Sequence, residues 1–67
     1  EKGLLVVDVV PGSPAEEIGI ERGDVIIRVD GREVHNVFEL RLHVAEAVIN
    51  RRRPSFEVWR RGRRVEL

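Results

Sequence analysis

Hydrophobic residues come in short runs in the first part of the chain, and each run ends at a proline or a glycine. The run LLVVDVV at positions 4–10 is rich in β-branched residues and predicts a strand with both faces partly covered. A Pro-Gly pair ends this run, and Ser13 then caps a short helix in which Glu16 can close a capping box. Gly19 supplies the left-handed end of the helix, which therefore has about one to two turns.

The middle of the chain predicts a strand pair followed by a longer helix. Positions 25–29 read VIIRV and predict a second strand. The next two residues, Asp30-Gly31, are a strong signal for a tight hairpin turn, after which 32–34 continue briefly as a strand. Asn36 can then cap a helix that runs over 37–49.

The helix over 37–49 is apolar over most of its surface. Four polar residues share one narrow arc on a helical wheel, and they are Glu39, His43, Glu46 and Asn50. The opposite side is apolar except for Arg41, and this stripe is wider than a single contact with the core needs. We therefore expect one flank of the helix to face the core and the other flank to line a further surface.

The C-terminal part predicts a β-hairpin. Positions 56–59 and 63–67 alternate between apolar and polar residues, and Arg61-Gly62 turns between them. Strands and helices are not segregated along the chain, while hairpin turns dominate. We therefore predict an α+β fold, a small bent antiparallel sheet or partial β-barrel capped by one short and one longer helix.

Length and composition predict one small domain. The chain has 67 residues, 42% of them apolar, which is enough for a core and argues against disorder. There is no cysteine, so disulfides and zinc-thiolate sites are excluded. The chain opens directly on a strand-like run, and we expect residues 1–67 to be a single domain excised from a larger protein.

The charges favour neither nucleic acid nor catalysis. Positions 51–67 carry seven arginines, which we interpret as a solvated basic edge, because the nearby aromatic residues are few and Trp59 is expected to pack. His35 and His43 are eight residues apart and are expected on the solvated surface, without converging metal ligands. Asp24 follows a turn glycine and is expected to satisfy loop amides. The sequence thus indicates no catalytic residue, no metal site and no cofactor.

The segment VVPGSPAEEIGIERGDVIIRVDGREV at 9–34 closely resembles the signature of PDZ domains. It is most similar to the bacterial type attached to HtrA-like serine proteases, site-2 metalloproteases and tail-specific proteases. The longer helix and the last hairpin follow the same pattern, so the resemblance covers essentially the whole chain. It implies a PDZ-like fold and a module that binds peptides.

The resemblance also implies where a peptide would bind. In PDZ domains a peptide, often a C-terminus, adds as a strand between the first strand (4–10 here) and the longer helix (37–49 here). Backbone N–H groups of a preceding loop, 1–4 in this chain, hold the terminal carboxylate. The peptide-binding residues that this implies are Lys2, Gly3, Leu4, Leu5, Val6, Val37, Phe38, Arg41, Val44 and Ala45. Arg41 either packs its stem and extends its charge to water, or contributes charge to the groove.

The implied partners are a C-terminus or unfolded segment of a protein and the rest of a parent protease. Nucleic acid is not expected as a partner, contact with a membrane is expected only through the parent, and the family resemblance implies a periplasmic or membrane-associated location. An alternative is an interdomain regulatory or structural element whose groove is filled by its own parent chain. Catalysis by the domain itself ranks last, because the sequence lacks a nucleophile–base pair.

Overall fold

Five strands and two helices follow one another in the predicted order in a computed structural model, which describes residues 3–67. The elements are β1 (Leu4–Leu5), α1 (Pro14–Ile18), β2 (Val25–Val29), β3 (Arg32–Glu33), α2 (Val37–Ile49), β4 (Phe56–Arg60) and β5 (Arg63–Glu66). Neither helix of this described part has the length and apolar character needed to cross a membrane.

The strands form one open antiparallel sheet in the order β1-β2-β4-β5, and β3 pairs with β2 beside this path. A shift in the register between β2 and β4 lies between Ile26 and Arg28, and such an irregularity bends a strand. Asp30 and Gly31 both have positive φ angles, 53° and 77°, as the hairpin turn between β2 and β3 requires. The predicted α+β fold with a bent sheet and two helices is confirmed.

The first strand is much shorter than the run of hydrophobic residues predicts. We expected a strand over 4–10, but regular pairing with β2 covers only Leu4–Leu5. Val6 still forms hydrogen bonds with the residues just before β2. Its N–H donates to the carbonyl of Asp24 (2.8 Å), and its carbonyl accepts from the N–H of Gly23 (2.8 Å). The segment before β2 turns away at this point, so within residues 3–67 no strand lies beside 7–10 to extend the ladder.

The hydrophobic core lies between the inner face of the sheet and the helices. Its buried members are Ile20, Ile26, Val29, Val34, Phe56 and Val58. Leu40 and Val44 of α2 pack against this cluster, and Ala47 of the same helix is fully buried. Alternation along β2 and β4, interrupted only by the register shift, places these strands' buried residues on one face.

His43 is buried, which corrects the expectation that it lies on the solvated surface. It is 8% exposed. It lies three residues after Leu40 and four residues before Ala47, so all three share the face of the helix that is turned to the sheet. Its Nδ1 atom makes no hydrogen bond within the described residues, and the nearest carboxylate oxygen, from Glu46, is 3.9 Å away. The polar arc of the helical wheel is therefore not a solvated face at this position.

The ends of the helices are formed largely as predicted. Ser13 caps α1, since its hydroxyl accepts the N–H of Glu16 (3.3 Å), and Gly19 ends the helix at a φ of 106°. The carboxylate of Glu16 does not close the capping box on Ser13, because it accepts the N–H of Gly12 instead (2.7 Å). Asn36 caps α2 by accepting the N–H of Glu39 (2.8 Å).

Two residues of the C-terminal hairpin differ from expectation. Arg60 is not part of a solvated basic edge, since its guanidinium donates to both carboxylate oxygens of the buried Asp24 (2.9 Å each) and to the carbonyl of Gly19 (2.8 Å). Trp59 does not pack in the core, and it is 45% exposed. It pairs with Val25 in the register of β4 and β2, and alternation places both side chains on the outer face of the sheet. Asp24 also accepts the N–H of Glu21 (2.8 Å), so its predicted structural role is confirmed.

Candidate functional site

A groove of about 430 Å³ lies between the chain that follows β1 and helix α2. One wall is formed by Val6, Asp8 and Val9, and the opposite wall by Leu40, Arg41, Val44 and Ala45. Helix α1 closes the groove with Pro14, Ala15 and Ile18, and the floor consists of Ile20, Ile26 and Phe56. Most of this lining is hydrophobic, so the groove suits apolar side chains.

Next to this groove, β1 is a free edge of the sheet, since no other strand within residues 3–67 pairs with its outer side. In an antiparallel ladder successive residues point their N–H and C=O groups to opposite sides. Because the N–H of Val6 donates to Asp24 on the β2 side, the N–H and C=O of Leu5 point away from β2. Leu5 thus presents one donor and one acceptor at the edge from which the groove opens, and an extended chain could pair with them.

The helical wall follows from the way in which α2 packs. Leu40 and Val44 pack against the core, so the flank of the helix next to them, with Arg41 and Ala45, is turned to the groove. Arg41 is exposed, and among residues 3–67 it is one of two charged residues in the lining. The other is Asp8, whose carboxylate accepts the N–H of Val9 (2.9 Å). The groove therefore offers apolar contacts, a free backbone edge and one charge of each sign.

The structure brings some of the sequence-predicted site residues together and leaves others apart. Val6, Arg41, Val44 and Ala45 line the groove. Leu4 packs against the core, and Leu5 is 64% exposed, with its side chain on the outer face and its backbone at the edge. Val37 and Phe38, in the first turn of α2, are 52% and 75% exposed and do not line the groove. Lys2 lies outside the described residues.

Gly3 immediately precedes β1 in a conformation that excludes other residues. Its φ angle is 128°, and a Cβ atom there would lie 2.7 Å from Cγ1 of Val25 and 2.8 Å from the carbonyl oxygen of Ile26. Only glycine fits so close to β2 with this backbone. The start of β1 is therefore held in one position next to β2.

The contribution of α1 and of the core to the groove was not predicted from the sequence. Ala15 and Ile18 are three residues apart, which is the signal of a shared helical face, but spacing alone does not tell which surface that face covers. Within residues 3–67, no cluster of three His, Asp or Glu side chains is arranged to hold a metal ion.

Comparison with known proteins connects this groove to a family. A family model described as PDZ domain matches residues 5–60. HhoA of Synechocystis sp., named as a serine protease, is 42% identical over 65 residues, which are 97% of this chain and 16% of that protein. A Clostridium perfringens protein named as a zinc metalloprotease is 48% identical over 42 residues (63% of this chain, 12% of that protein). A Chlamydia trachomatis protein named as a DegP-like periplasmic serine endoprotease is 37% identical over 65 residues (97% and 13%).

Proposed function

Because the chain belongs to the PDZ-domain family, a family of protein-interaction modules, we propose that it binds an extended peptide segment as an added strand in the groove between β1 and α2. The observation that carries this proposal is the free backbone edge at Leu5 beside an apolar groove. The peptide backbone bonds to that edge, while alternate side chains enter the groove and contact Val44 and Ala45.

Recognition of a free C-terminus is a further part of this proposal. The N–H groups of 1–4 hold the terminal carboxylate, with Lys2 and Gly3 in the loop and Leu4, Leu5 and Val6 receiving the strand. Val37, Phe38 and Arg41 contribute from α2, the first two at the end where the helix begins. Gly3 supports this assignment, because it directly precedes β1 and has a φ angle of 128°.

The proposed role in the full protein is to recruit a substrate or to bias a protease between two states. The chain spans 16%, 12% and 13% of the lengths of the three relatives described above, all named as proteases, so catalysis is assigned to other parts of such a parent. We expect weak binding by the domain alone, with dissociation constants of about 1–100 µM. By similarity to the DegP-like relative, the proposed location is periplasmic or membrane-associated.

The test is a titration of the isotopically labelled domain with a hydrophobic peptide that has a free C-terminus, and with its C-terminally amidated twin. We expect amide shifts at 3–6 and along α2 from Arg41 to Ala45 that saturate with the acid and are weaker with the amide. Equal shifts with both peptides would support strand addition without recognition of the chain end. No shift with either peptide would contradict the proposal.

A matched pair of variants locates the site on the helix. Ala45→Phe places a ring in the groove and should abolish the shifts at 3–6, because Ala45 lines the groove and is exposed. Leu42→Phe adds a ring to a residue of the same helix that is 43% exposed and does not line the groove, so it should leave binding unchanged. Equal binding by both variants would place the peptide elsewhere.

A second function is favoured by the floor of the groove. Ile20, Ile26 and Phe56 line it and are also members of the hydrophobic core, so an empty groove opens directly onto the core. A regulatory or structural element whose groove is filled by another segment of its own parent chain would cover these residues permanently. In that case neither peptide would shift the groove amides, and deleting this domain from the parent would change the activity of the parent.

A further inference from the structure

The free edge of β5 carries a charge pattern that is complementary to itself. β5 ends the sheet on the side opposite to β1, and no other strand of residues 3–67 pairs with its outer side. Arg64 and Glu66 are both exposed and lie two residues apart, so their side chains project from the same face of the strand. One positive and one negative charge therefore flank Val65 along this edge.

The backbone of these same two residues is free to pair. Phe56 and Leu67 exchange two backbone hydrogen bonds (3.2 and 2.8 Å), so they form a hydrogen-bonded pair between β4 and the end of β5. Such pairs alternate along an antiparallel ladder, so the N–H and C=O groups of Arg64 and Glu66 point away from β4. Within residues 3–67, no backbone hydrogen bond outside the ladder reaches either residue.

We propose that β5 pairs with β5 of a second copy of this chain, antiparallel about a twofold axis that passes beside Val65. Arg64 then lies opposite Glu66 of the second copy, and Glu66 lies opposite Arg64 of the second copy. Each of these two pairs is a hydrogen-bonded pair, so backbone bonds and opposite charges form at the same positions. The sheets of the two copies join into one, and the β5 edge of each copy is covered.

The charges select this register over its neighbours. An antiparallel shift by two residues places Arg64 opposite Arg64 of the second copy, or Glu66 opposite Glu66, and like charges directly opposite are destabilising. Both side chains are also available for pairing. Arg64 lies 3.7 Å from Glu57, a carboxylate that already accepts from Arg28 at 2.7 Å, and Glu66 has no ion pair within the described residues.

Charge exchange tests this pairing directly. Sedimentation velocity of the wild-type chain from about 10 µM to about 1 mM should show a monomer–dimer equilibrium. Arg64→Glu alone and Glu66→Arg alone should each weaken dimerisation by about tenfold or more, because each places two like-charge pairs across the axis. An equimolar mixture of the two single variants should dimerise like the wild type, since every cross-strand pair is again of opposite charge. The double variant with both exchanges should do the same.

A control variant tests whether the effect on dimerisation is specific to the β5 edge. Arg22→Glu changes one exposed arginine in the turn before β2 and should not alter dimerisation. Circular dichroism of each variant verifies that the exposed substitutions leave the fold intact. A monomeric wild type at 1 mM, single variants that dimerise like the wild type, or a mixture no better than its components would each overturn the proposal. None of these results depends on whether a peptide binds in the groove on the other side of the sheet.

Discussion

The carboxylate of Asp24 connects three parts of the fold through Arg60. The guanidinium donates to both oxygens of Asp24 and to the carbonyl of Gly19, so the end of α1, the turn before β2 and the end of β4 are held together. The hydrogen bonds from Arg60, and also that from the N–H of Glu21, keep the pKa of Asp24 below its ordinary value. A buried carboxylate with these partners should be a principal contributor to stability.

We predict that Asp24→Asn lowers the free energy of unfolding at pH 7 by about 2 kcal/mol, because charged hydrogen bonds to a buried group are lost. A depressed pKa means that the ionised Asp24 stabilises the fold above the pKa of the unfolded chain, near 3.8. This contribution is lost as the pH falls through the lower, folded pKa. Urea denaturation at several pH values should therefore show wild type and variant converging below about pH 4.

The difference between wild type and variant is the quantity to compare, because other carboxylates also titrate in acid. Hydrogen bonds from the N–H of Ser55 and the N–H of His35 likewise lower the pKa values of Asp30 and Glu39. These groups are present in both proteins, so their effects cancel in the difference. A difference that stayed constant from pH 7 to pH 3 would show that the charge of Asp24 does not stabilise the fold.

Arg61 has an unfavourable backbone conformation that can be relieved. It occupies the first position of the turn between β4 and β5, with a φ angle of 50°, and Gly62 follows at 78°. Asparagine tolerates this left-handed conformation better than arginine, so Arg61→Asn should raise the unfolding free energy by about 0.5–1 kcal/mol. The exposed contact of Arg61 with Glu21, at 3.5 Å, contributes little. Thermal denaturation measures the gain, and Arg63→Asn within β5 should produce none.

For single residues, the sequence predicts the features that depend on local geometry. The caps of Ser13 and Asn36 and the left-handed end at Gly19 follow from neighbouring residues, and all three are confirmed. His43 and Arg60 could not be placed in the same way. Burial of His43 depends on how α2 is rotated over the sheet, and the partner of Arg60 lies 36 residues earlier in the chain.

The ends of a helix follow from its own residues more closely than the ends of a strand do. Helix α2 begins after Asn36 and ends at Ile49 as the pattern predicts, because its hydrogen bonds are internal. The strand predicted over 4–10 ends at Leu5, because a strand also needs a partner and β2 begins only at Val25. A run of β-branched residues predicts where a strand is possible, whereas the neighbouring strand decides where it ends.

Helix α2 permits a prediction about the ligand. Arg41 is a positive charge in the lining of the groove, so Arg41→Ala should weaken binding of a peptide with a free carboxylate about two- to fivefold at low salt. The effect should fade as the ionic strength rises, since charges near water are screened. Isothermal titration at two salt concentrations measures it. Arg22→Ala, which removes an exposed arginine outside the groove, serves as the control, and equal affinities for both variants at low salt would contradict the role of Arg41.

For the whole molecule, turn chemistry predicts the order of the elements and the class of the fold, but not the walls of the groove. Val6, Ile18 and Val44 meet there from three separate parts of the chain. Their spacing in the sequence does not indicate that they line the same groove. Residues near the site were therefore predicted by resemblance, and the lining by α1 became visible only in the folded structure.

The two free edges of the sheet lie at opposite ends of the order β1-β2-β4-β5, with two paired strands between them. The proposed peptide binding uses the backbone of Leu5, and the proposed pairing of two copies uses that of Arg64 and Glu66, so the two events share no residue. Energies at separate sites without common partners usually add. We therefore predict that the dissociation constant of a groove peptide is equal, within about twofold, for the wild type and for Arg64→Glu.

Titration calorimetry at one protein concentration, chosen so that the wild type is largely dimeric and the variant monomeric, measures this independence. Binding and self-association are reciprocal, so a peptide that tightens or loosens the dimer must have a different affinity for the monomeric variant. A difference of tenfold between the two proteins would mean that the sheet transmits a change from β1 to β5. Equal affinities would mean that each copy in the dimer keeps its own groove, so that two linked peptides bind to it with increased avidity.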